Sequence, residues 1–510
     1  MFMPAKTLMV QGTASSVGKS IMVTALCRIL KQDGLKVAPF KAQNMSLNSF
    51  VTCDGGEIGR AQVVQAEAAG VEPTVEMNPI LLKPEADHRS QVVVRGKPLG
   101  GLSAKDYYSL QKQLWLVITE SLERLSTQYD VILIEGAGSP AEVNLKDRDM
   151  VNMRVALHCR APVLLVADID RGGVFASLVG TLELLEPEER SLIKAFVINK
   201  FRGDISLLTP GLSWLEERTQ VPVAGVIPYY HDIRIAEEDS VSLEKRRAMK
   251  QKSDYVLDIA VIGLPHIANF DDFDPLEQEE GVRLRYVEED DELGEPDLII
   301  LPGTKSTMAD LTYLRETGRD REILGRAKKG TPIIGICGGY QMLGEMIRDP
   351  SHVESAEPQC AGLGLLPVTT TFAPVKSTHQ IEARVALDRG ILKGAAGLAL
   401  SGYEIHMGKT SPADNAAPFQ IDKRSGMPCR DRDGCLSADG NVLGTYAHGL
   451  FHNEGFRHSL LRELAVGKGL FFTPRTKILS KEEQYNRLAT LVRKSVNMEL
   501  IYDIAGLTMP

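Results

Sequence analysis

The sequence predicts an α/β protein with two doubly wound domains, in which helices cover both faces of mainly parallel sheets. Short apolar runs bounded by glycine, proline or charge alternate with helix-like stretches, as expected of buried parallel strands joined by helices. This series of runs occurs twice, on either side of a stretch of mixed charge. At 510 residues the chain is also long for a single domain, so its length favours two or three domains.

The first series predicts an α/β domain over residues 1–235. Its predicted strands are KTLMVQG, LKVAPFK, VILIEGAG, PVLLVADID, KAFVINK and PVAGVIP. The stretch SIMVTALCRILKQDG lies between the first two strands and ends at a glycine, which is typical of a helix stop.

The second series predicts another doubly wound domain over residues 254–460. Its first strands are LDIAVIGLP, VRLRYVEE, DLIILPG and PIIGICGG. Residues 236–253 have mixed charge and are interpreted as a linker, with a structured insert as the alternative. Residues 461–510 are predicted to form a mostly helical extension.

Composition narrows the functional classes. Apolar residues make up 43% of the chain, yet no run is long enough for a membrane span, and the first residues do not resemble a secretory signal. We therefore expect a cytoplasmic protein. The net charge of −9 and the scattered basic residues disfavour nucleic acid as a partner. The seven cysteines are odd in number and widely spaced, which disfavours a disulfide framework or a zinc site.

The stretch GTASSVGKS follows a predicted strand and opens a predicted helix, which is the context of a P-loop. Backbone N–H groups in such a loop bind phosphate oxygens, and the helix N-terminus adds partial positive charge. Lys19 would supply a full charge and Ser20 would join a Mg²⁺ shell. A chance glycine-rich turn is the alternative, because Thr13 stands where the first motif glycine would fall. The residues assigned to nucleotide in this stretch are Gly12, Thr13, Ser16, Gly18, Lys19 and Ser20.

Further candidates for the nucleotide site end predicted strands. Glu135 ends VILIEGAG, at the sheet edge where ligands bind in open α/β sheets, and is the leading Mg²⁺ ligand; capping the next helix is its alternative role. Asp54 and Glu57 are weaker metal candidates. Lys41 could reach a transferred phosphate or be a solvated strand end, and Asn199 in INKFRGD resembles base-reading Asn-Lys pairs.

The stretch PIIGICGGYQMLG places Cys337 on a predicted strand-to-helix turn. Such an elbow exposes a nucleophile and directs a helix N-terminus at its sulfur. A thiolate also needs a base, and His448 in GTYAHGLF is the candidate, ahead of His379, His406 and His452.

LPGTKST follows another buried strand of the second series. The backbone N–H groups of Gly303 in this stretch and of Gly338 are candidates for an oxyanion hole. An ordinary turn at the strand end is the alternative for Gly303.

These motifs together carry a family resemblance that covers essentially the whole chain. GICGGYQMLG, YAHGLF and LPGTKST resemble the triad-type (class I) glutamine amidotransferase domain of the cobyrinic-acid amidases. GTASSVGKS, EGAG and INKFRGD resemble a dethiobiotin synthetase-like ATP domain, which has a P-loop NTPase-like fold. PFKAQNMSLNS followed by GGEIGRAQ resembles the branch that amidates the b, d, e and g carboxylates of adenosylcobyrinic acid a,c-diamide.

The resemblance implies an amidoligase that uses ATP, Mg²⁺ and glutamine, with Cys337 as nucleophile and His448 as base. Glu135 matches a Mg²⁺ ligand, and Glu57 is the second one by its spacing to Gln62. Lys41 matches a lysine that follows the second strand. Many triad enzymes carry a Glu two residues after the histidine, but Leu450 stands there, so the group that orients His448 is open; Glu404 and Glu454 are the candidates.

Gln43, Asn44 and Ser46 are expected to face the substrate carboxylate, with a polar surface loop as the alternative. The implied partners are small molecules: the corrinoid, glutamine and ATP. Neither nucleic acid nor a membrane is expected, and a homo-oligomer is left open. The alternative functions are the a,c-diamide synthase branch of the same family and a P-loop ATPase switch with an inactive amidotransferase-like binding module.

Overall fold

The computed structural model describes residues 5–85, 89–230, 232–235, 255–411, 416–474 and 479–509. The predicted linker, residues 236–253, lies outside these residues. Within them, no helix is long and apolar enough to cross a membrane.

The N-terminal domain contains all six predicted strands of the first series. Its strands are β1 (Lys6–Gly12), β2 (Val37–Phe40), β3 (Gln43–Met45), β4 (Ser49–Val51), β5 (Glu57–Gly59), β6 (Ile80–Pro84), β7 (Arg89–Val94), β8 (Lys97–Ser103), β9 (Val131–Glu135), β10 (Val163–Asp168), β11 (Ile193–Phe201) and β12 (Val223–Pro228). Its helices are α1 (Lys19–Gln32), α2 (Arg60–Ala69), α3 (Ala104–Ser109), α4 (Gln111–Ser126), α5 (Met153–Cys159), α6 (Val174–Leu184), α7 (Pro187–Arg190) and α8 (Ile205–Thr219).

The predicted strands form one parallel sheet in the order β12-β11-β10-β1-β9-β2. Leu8, Met9 and Val10 are consecutive and all buried, yet Met9 faces one core cluster while its neighbours face another. Helices therefore cover both faces of the sheet, which is why the strand reads as an unbroken apolar run.

Two small sheets between β2 and β9 were not predicted. β3, β6, β7 and β8 form a four-stranded sheet, and β4 pairs with β5 as an antiparallel hairpin. β4 and β5 have only three residues each, too few for a clear alternation of apolar and polar positions. This hairpin lies against the second domain.

The second domain also contains the predicted strands. Its strands are β13 (Leu257–Ile262), β14 (Val282–Val287), β15 (Leu298–Leu301), β16 (Ile333–Ile336), β17 (Met346–Arg348), β18 (Gln359–Ala361), β19 (Thr369–Val385), β20 (Ala399–Thr410), β21 (Phe419–Arg424), β22 (Met427–Asp433), β23 (Cys435–Leu436) and β24 (Val442–Thr445). Its helices are α9 (Asp274–Gln278), α10 (Thr307–Glu316), α11 (Arg319–Lys328), α12 (Gly338–Leu343) and α13 (Glu454–Gly467).

The central sheet of this domain has the order β14-β13-β15-β16-β24-β23, parallel except for β23. The doubly wound prediction is confirmed for this sheet. Most of residues 346–433 form a further, mainly antiparallel sheet around the long strand β19, which the sequence analysis did not predict. The residues of β20 alternate irregularly between buried and exposed, so they lack the apolar runs that identified the parallel strands.

The C-terminal helices are α14 (Lys481–Ser495) and α15 (Met498–Ala505). Both pack against the N-terminal domain, where Tyr485 and Leu488 share a core cluster with Val23 and Leu26 of α1. α13 instead packs in the second domain and crosses residue 460, where the sequence analysis placed a boundary. The chain thus returns to its first domain after completing its second.

Candidate active sites

Cys337 lies between β16 and α12, on the predicted elbow. Its backbone has φ +52°, a conformation that non-glycine residues seldom adopt and that often marks functional sites. The two glycines that follow give the chain room to turn: a Cβ on Gly339 would lie 2.0 Å from the carbonyl oxygen of Leu301. The thiol is 8% exposed and lies 3.5 Å from the carbonyl oxygen of Ile405.

His448 lies next to Cys337, and its ring is held by Asp272. The His448 Nδ1 to Asp272 Oδ2 distance is 2.7 Å, and the backbone N–H of Gly449 donates to Asp272 Oδ1 at 2.7 Å. Burial lowers the pKa of His448, but Asp272 and the nearby Cys337 outweigh it and raise the pKa to about 10. By distance and angle, no described residue forms a regular hydrogen bond with His448 Nε2, while Cys337 is near enough to raise the pKa of the ring, so this atom is available to the thiol.

Asp272 is the functional residue that the sequence analysis missed. It lies on a short 3₁₀ turn, Phe270–Phe273, far in sequence from His448 and without a motif. The two carboxylates that the sequence suggested as partners of the histidine have other contacts. Glu404 pairs with Arg424 at 2.7 Å, and the mostly exposed Glu454 lies 3.8 Å from His458.

The competing histidines have other contacts. His406 lines the pocket that contains Cys337, but its ring stacks on Tyr446 and burial lowers its pKa to about 4. His379 lies 3.3 Å from Ser425 Oγ, and His452 Nε2 lies 3.2 Å from the carbonyl oxygen of Asp271.

The two predicted oxyanion glycines border the Cys337 elbow. Gly338 is the first residue of α12, and a Cβ there would lie 3.1 Å from the backbone nitrogen of Thr304. A Cβ on Gly303 would lie 3.0 Å from His448 Cε1 and 3.7 Å from Cys337 Cβ. The β15–α10 loop and the α12 N-terminus therefore meet beside the sulfur.

The pocket at Cys337 is bounded by both domains. Lys83 and Gln91 of the small four-stranded sheet line it together with Lys305 and Lys376 of the second domain. The thiol thus faces the first domain. Burial lowers the pKa of Lys376 to about 8, although Glu57 acts in the opposite direction.

The P-loop spans the end of β1 and the start of α1, as predicted. Ser16 and Gly18 have positive φ values of 57° and 107°, so the loop curls before the helix begins at Lys19. Lys19 Nζ donates to the carbonyl oxygens of Ala14 at 2.8 Å and Gly138 at 3.0 Å. These contacts hold its ammonium group at the mouth of the loop. Gly12 is the last residue of β1, and the backbone N–H of Thr13, which follows it, donates to the carbonyl oxygen of Val166.

Glu135 is brought together with Ser20 and Lys41. Ser20 Oγ donates to Glu135 Oε1 at 2.9 Å, Lys41 Nζ lies 2.8 Å from the same oxygen, and Gln65 donates to the other oxygen. Burial raises the pKa of Glu135, but these partners hold it below its usual value, so the group is an anion. A serine hydroxyl beside a carboxylate at a P-loop is a donor set that fits Mg²⁺.

Glu57 lies apart from this group, and its role as a second metal ligand stays a prediction. Its carboxylate is fully buried and lies between Lys83 at 2.8 Å and Lys376, while Ser49 Oγ donates to it at 2.9 Å. The two ammonium groups hold the pKa of Glu57 well below its usual range. Among the described residues no group of three or more His, Cys, Asp or Glu side chains is arranged to hold a metal.

Asn199 contacts the P-loop. Its amide donates to the carbonyl oxygen of Val17 at 2.8 Å, and Lys200 donates to that of Ser16 at 2.6 Å. Asn199 Oδ1 has no hydrogen-bond partner among the described residues, and its contact with the base stays a prediction.

The segment predicted to face the substrate is mostly engaged within the protein. Asn44 is buried and donates to Gln62 Oε1 at 3.0 Å, and the buried Ser46 donates to the carbonyl oxygen of Asn48 at 3.1 Å. Gln43 accepts a hydrogen bond from Tyr107. That Asn44 and Ser46 face the substrate carboxylate stays a prediction, and in the structure their polar groups fix the chain between β2 and β4.

Family models match both domains of the chain. Residues 8–243 match the CobQ/CobB/MinD/ParA nucleotide binding domain, and residues 258–456 match the CobB/CobQ-like glutamine amidotransferase domain. The chain is therefore related to nucleotide-binding proteins in its first domain and to glutamine amidotransferases in its second.

Full-length relatives agree with both matches. The chain is 55% identical to a cobyric acid synthase of Sorangium cellulosum (strain So ce56) over 99% of both chains. It is 54% identical to a cobyric acid synthase of Dehalococcoides mccartyi (strain CBDB1), over 98% of this chain and 99% of the relative. The corresponding protein of Desulforamulus reducens (strain ATCC BAA-1160 / DSM 100696 / MI-1) is 52% identical over 99% of this chain and 98% of its own length.

Proposed function

This chain belongs to the cobyric acid synthase family, and from that membership we propose that it amidates the b, d, e and g carboxylates of adenosylcobyrinic acid a,c-diamide, using ATP and glutamine. A carboxylate resists amidation because its charge repels nucleophiles and oxide is a poor leaving group. Phosphorylation by ATP removes both obstacles. The product of the full series is adenosylcobyric acid, an intermediate of cobalamin biosynthesis.

In the first domain, the P-loop amides and Lys19 bind the phosphates and stabilise charge on the phosphoryl group as it transfers. Ser20 and Glu135 would hold Mg²⁺, which when bound neutralises phosphate charge. Lys41 balances the charge of Glu135 and would contact the transferred group. The substrate carboxylate becomes an acyl phosphate and ADP leaves.

In the second domain, Cys337 attacks the amide carbon of glutamine. Gly303 and Gly338 supply backbone N–H groups for the oxyanion, a contribution of ~10²–10³ in rate for each donor in comparable sites. The thiol proton passes to His448 before the sulfur attacks, and the imidazolium, stabilised by Asp272, then gives a proton to the departing ammonia. Water then releases glutamate from the thioester and restores the thiol. Ammonia attacks the carbonyl carbon of the acyl phosphate, the bond from that carbon to the phosphate oxygen breaks, and inorganic phosphate leaves as the amide forms.

The position of the Cys337 pocket suits transfer between these two reactions. Because both domains line it, ammonia is released toward the domain that makes the acyl phosphate. Enclosure limits loss of the acyl phosphate to hydrolysis and of ammonia to bulk water. We place the reaction in the cytoplasm, where ATP and glutamine are available.

The observation that carries the proposal is one chain with two preorganised centres: Ser20 with Glu135 at a P-loop, and Cys337 with His448 and Asp272. The decisive assay is incubation with cobyrinic acid a,c-diamide, ATP, Mg²⁺ and glutamine, followed by mass spectrometry. Stepwise replacement of carboxylate OH by NH₂ is expected. Formation of the a,c-diamide from cobyrinic acid instead would favour the other branch of the family, and no amidated product would contradict an amidoligase.

The Cys337→Ala variant tests the division of labour between the domains. We expect it to lose amidation with glutamine, because no thioester can form, and to keep amidation with added ammonium chloride. Initial rates with each nitrogen source give the comparison. Equal use of glutamine by variant and wild type would refute the assignment of Cys337.

A further inference from the structure

The turn that carries Asp272 lies in the interface between the domains. Phe270–Phe273 and the preceding Asn269 are buried, with relative exposures of 3% or less. Asn269 has φ +54°, so the chain changes direction sharply before the turn. The position of Asp272, and hence the orientation of His448, depends on what holds this turn.

The first domain holds the start of the turn by hydrogen bonds. The backbone N–H of Ser49 donates to Asn269 Oδ1 at 2.9 Å, and the backbone N–H of Phe270 donates to Asn48 Oδ1 at 3.3 Å. Asn48 and Ser49 stand at the beginning of the β4–β5 hairpin, whose second strand leads directly into α2.

Arg60, the first residue of α2, pairs with the residue next to Asp272. Its Nε lies 3.0 Å from Asp271 Oδ2, and the two side chains are only 5% and 4% exposed. A buried ion pair is favourable only when its geometry is well kept, because both charges have lost their water. Arg60 Nε and Asp271 Oδ1 have no hydrogen-bond partner among the described residues, so the attraction between the two buried charges is what links α2 to the turn.

The same segment of the first domain also supports His448. The Phe50 ring lies 5.1 Å from that of Tyr403, and Tyr403 stacks on His448 at 5.1 Å with an interplanar angle of 14°. The Arg60 guanidinium lies over Phe50, 5.3 Å from its ring centre. Arg60 thus contacts Asp271, which precedes Asp272, and Phe50, which packs on the tyrosine that stacks on the imidazole of the catalytic histidine.

α2 is in turn anchored inside its own domain. Gln62 accepts from Asn44 at 3.0 Å, and Gln65 donates to Glu135 at the nucleotide site. Its residues are buried except for the half-buried Glu67. Arg60 is therefore presented to Asp271 from a rigid element and not from a mobile loop.

We propose that Arg60 of the ATP domain is a positioning residue for glutamine hydrolysis in the second domain: by pairing with Asp271 it holds the adjacent Asp272 against His448. Without Arg60, the buried Asp271 carboxylate would lose the cation that it pairs with. Its repulsion of the neighbouring Asp272 would then let the turn relax. Small displacements of catalytic groups can reduce rates by ~10²-fold. The inference rests on the proposed glutaminase reaction.

The test compares Arg60→Met with Arg60→Lys in the full-length enzyme, measuring glutamate release from glutamine and amidation with ammonium chloride. We expect Arg60→Met to lower kcat for glutamine hydrolysis ~10–100-fold. The KM for glutamine and the ammonia-dependent rate should change by no more than about twofold to threefold, because neither depends on the orientation of His448. Arg60→Lys keeps the charge and should recover part of the lost kcat.

Arg28→Met is the matched control. Arg28 is as buried as Arg60 and also belongs to a helix of the first domain, but it pairs with Glu482 of α14, away from the turn. The ratio of glutamine-dependent to ammonia-dependent rates should be unchanged in this variant. If Arg60→Met is not recovered as folded protein, Asp271→Asn removes the same pair from the other side and should lower the same ratio.

Three outcomes would overturn the inference: an unchanged kcat for glutamine in Arg60→Met, equal losses with both nitrogen sources, or no recovery by Arg60→Lys. Failure of the proposed function itself would look different, because the wild-type enzyme would then release no glutamate from glutamine.

Discussion

Asp272 reaches His448 across 176 positions of sequence. In many triad-type enzymes an acidic residue follows the histidine closely, but Leu450 occupies that place here and is buried. The carboxylate comes instead from the turn after β13. The chemical requirement for an anion at Nδ1 is thus met from a different part of the fold.

Asp272→Asn should affect both activity and the pH dependence of stability. Loss of the orienting carboxylate reduces kcat by up to ~10⁴ in a comparable triad, so glutamine hydrolysis should fall while ammonia use persists. The pKa of His448 is raised from 6.5 to about 10 in the folded protein. The stabilisation from its protonated form is therefore complete below about pH 6.5 and is lost as the pH rises through about 10.

Urea unfolding at several pH values between about 6.5 and 10 measures this effect. The free energy of unfolding of the wild type should fall more steeply over this range than that of Asp272→Asn. Glu454→Gln, which removes a largely exposed carboxylate, serves as the control and should follow the wild type. Parallel curves for wild type and Asp272→Asn would contradict the pairing.

At the scale of elements, the elbow between β16 and α12 depends on close backbone packing. Gly339 lies so near β15 that any side chain would collide with the Leu301 carbonyl, a backbone atom that cannot rotate away. The glycine pair after Cys337 is therefore required by the approach of two elements.

Gly339→Ala is expected to destabilise the protein by ~1–3 kcal/mol, as overpacking in a core does. Gly325→Ala is the matched control, because it lies in α11 with nothing within 4 Å of a new Cβ. Alanine there should be neutral or stabilising by ~0.5–1 kcal/mol. Thermal unfolding midpoints compare the two variants, and equal midpoints would show that the elbow tolerates a methyl group.

The sequence predicts the parallel strands well and the antiparallel strands poorly. The ten predicted parallel strands all appear in the two central sheets, because burial on both faces demands uninterrupted apolar residues. The antiparallel strands and the β4–β5 hairpin carry polar residues at their interfaces, so their pattern resembles loops. Those less visible elements line the Cys337 pocket and support Asp272.

At the scale of the whole molecule, the second domain lies in the sequence between two segments that both pack in the first domain. α14 and α15 complete the core under α1 and β12, where Val496 pairs with Gly225. The glutaminase site is thereby bounded by the first domain on one side, and the chain beyond α13 is held to that domain as well. The order of the segments along the chain and the buried contacts between them together set the orientation of the domains.

A variant that ends at Pro474 should fail to give a folded first domain. It removes the buried side chains of Tyr485, Leu488, Val492 and Ile501, each worth ~1.5–3 kcal/mol. Their sum is comparable to the ~5–15 kcal/mol by which most proteins are stable. Soluble yield, and ATP-dependent amidation with ammonia, report the loss.

A variant that ends at Gly506 is the control and should keep both properties, because it retains α14 and α15. Full ammonia-dependent activity in the Pro474 variant would show instead that these helices are dispensable.

Local chemistry was enough to identify the P-loop, the Cys337 elbow and the two parallel sheets, because each depends on residues close together in the chain. Spatial assembly decided the rest. It brought Asp272 to His448, placed Glu57 between Lys83 and Lys376, and brought Asn199 against the P-loop. The reason is physical: a buried charge takes whichever opposite charge the fold brings near it, and that partner can come from any distance along the chain.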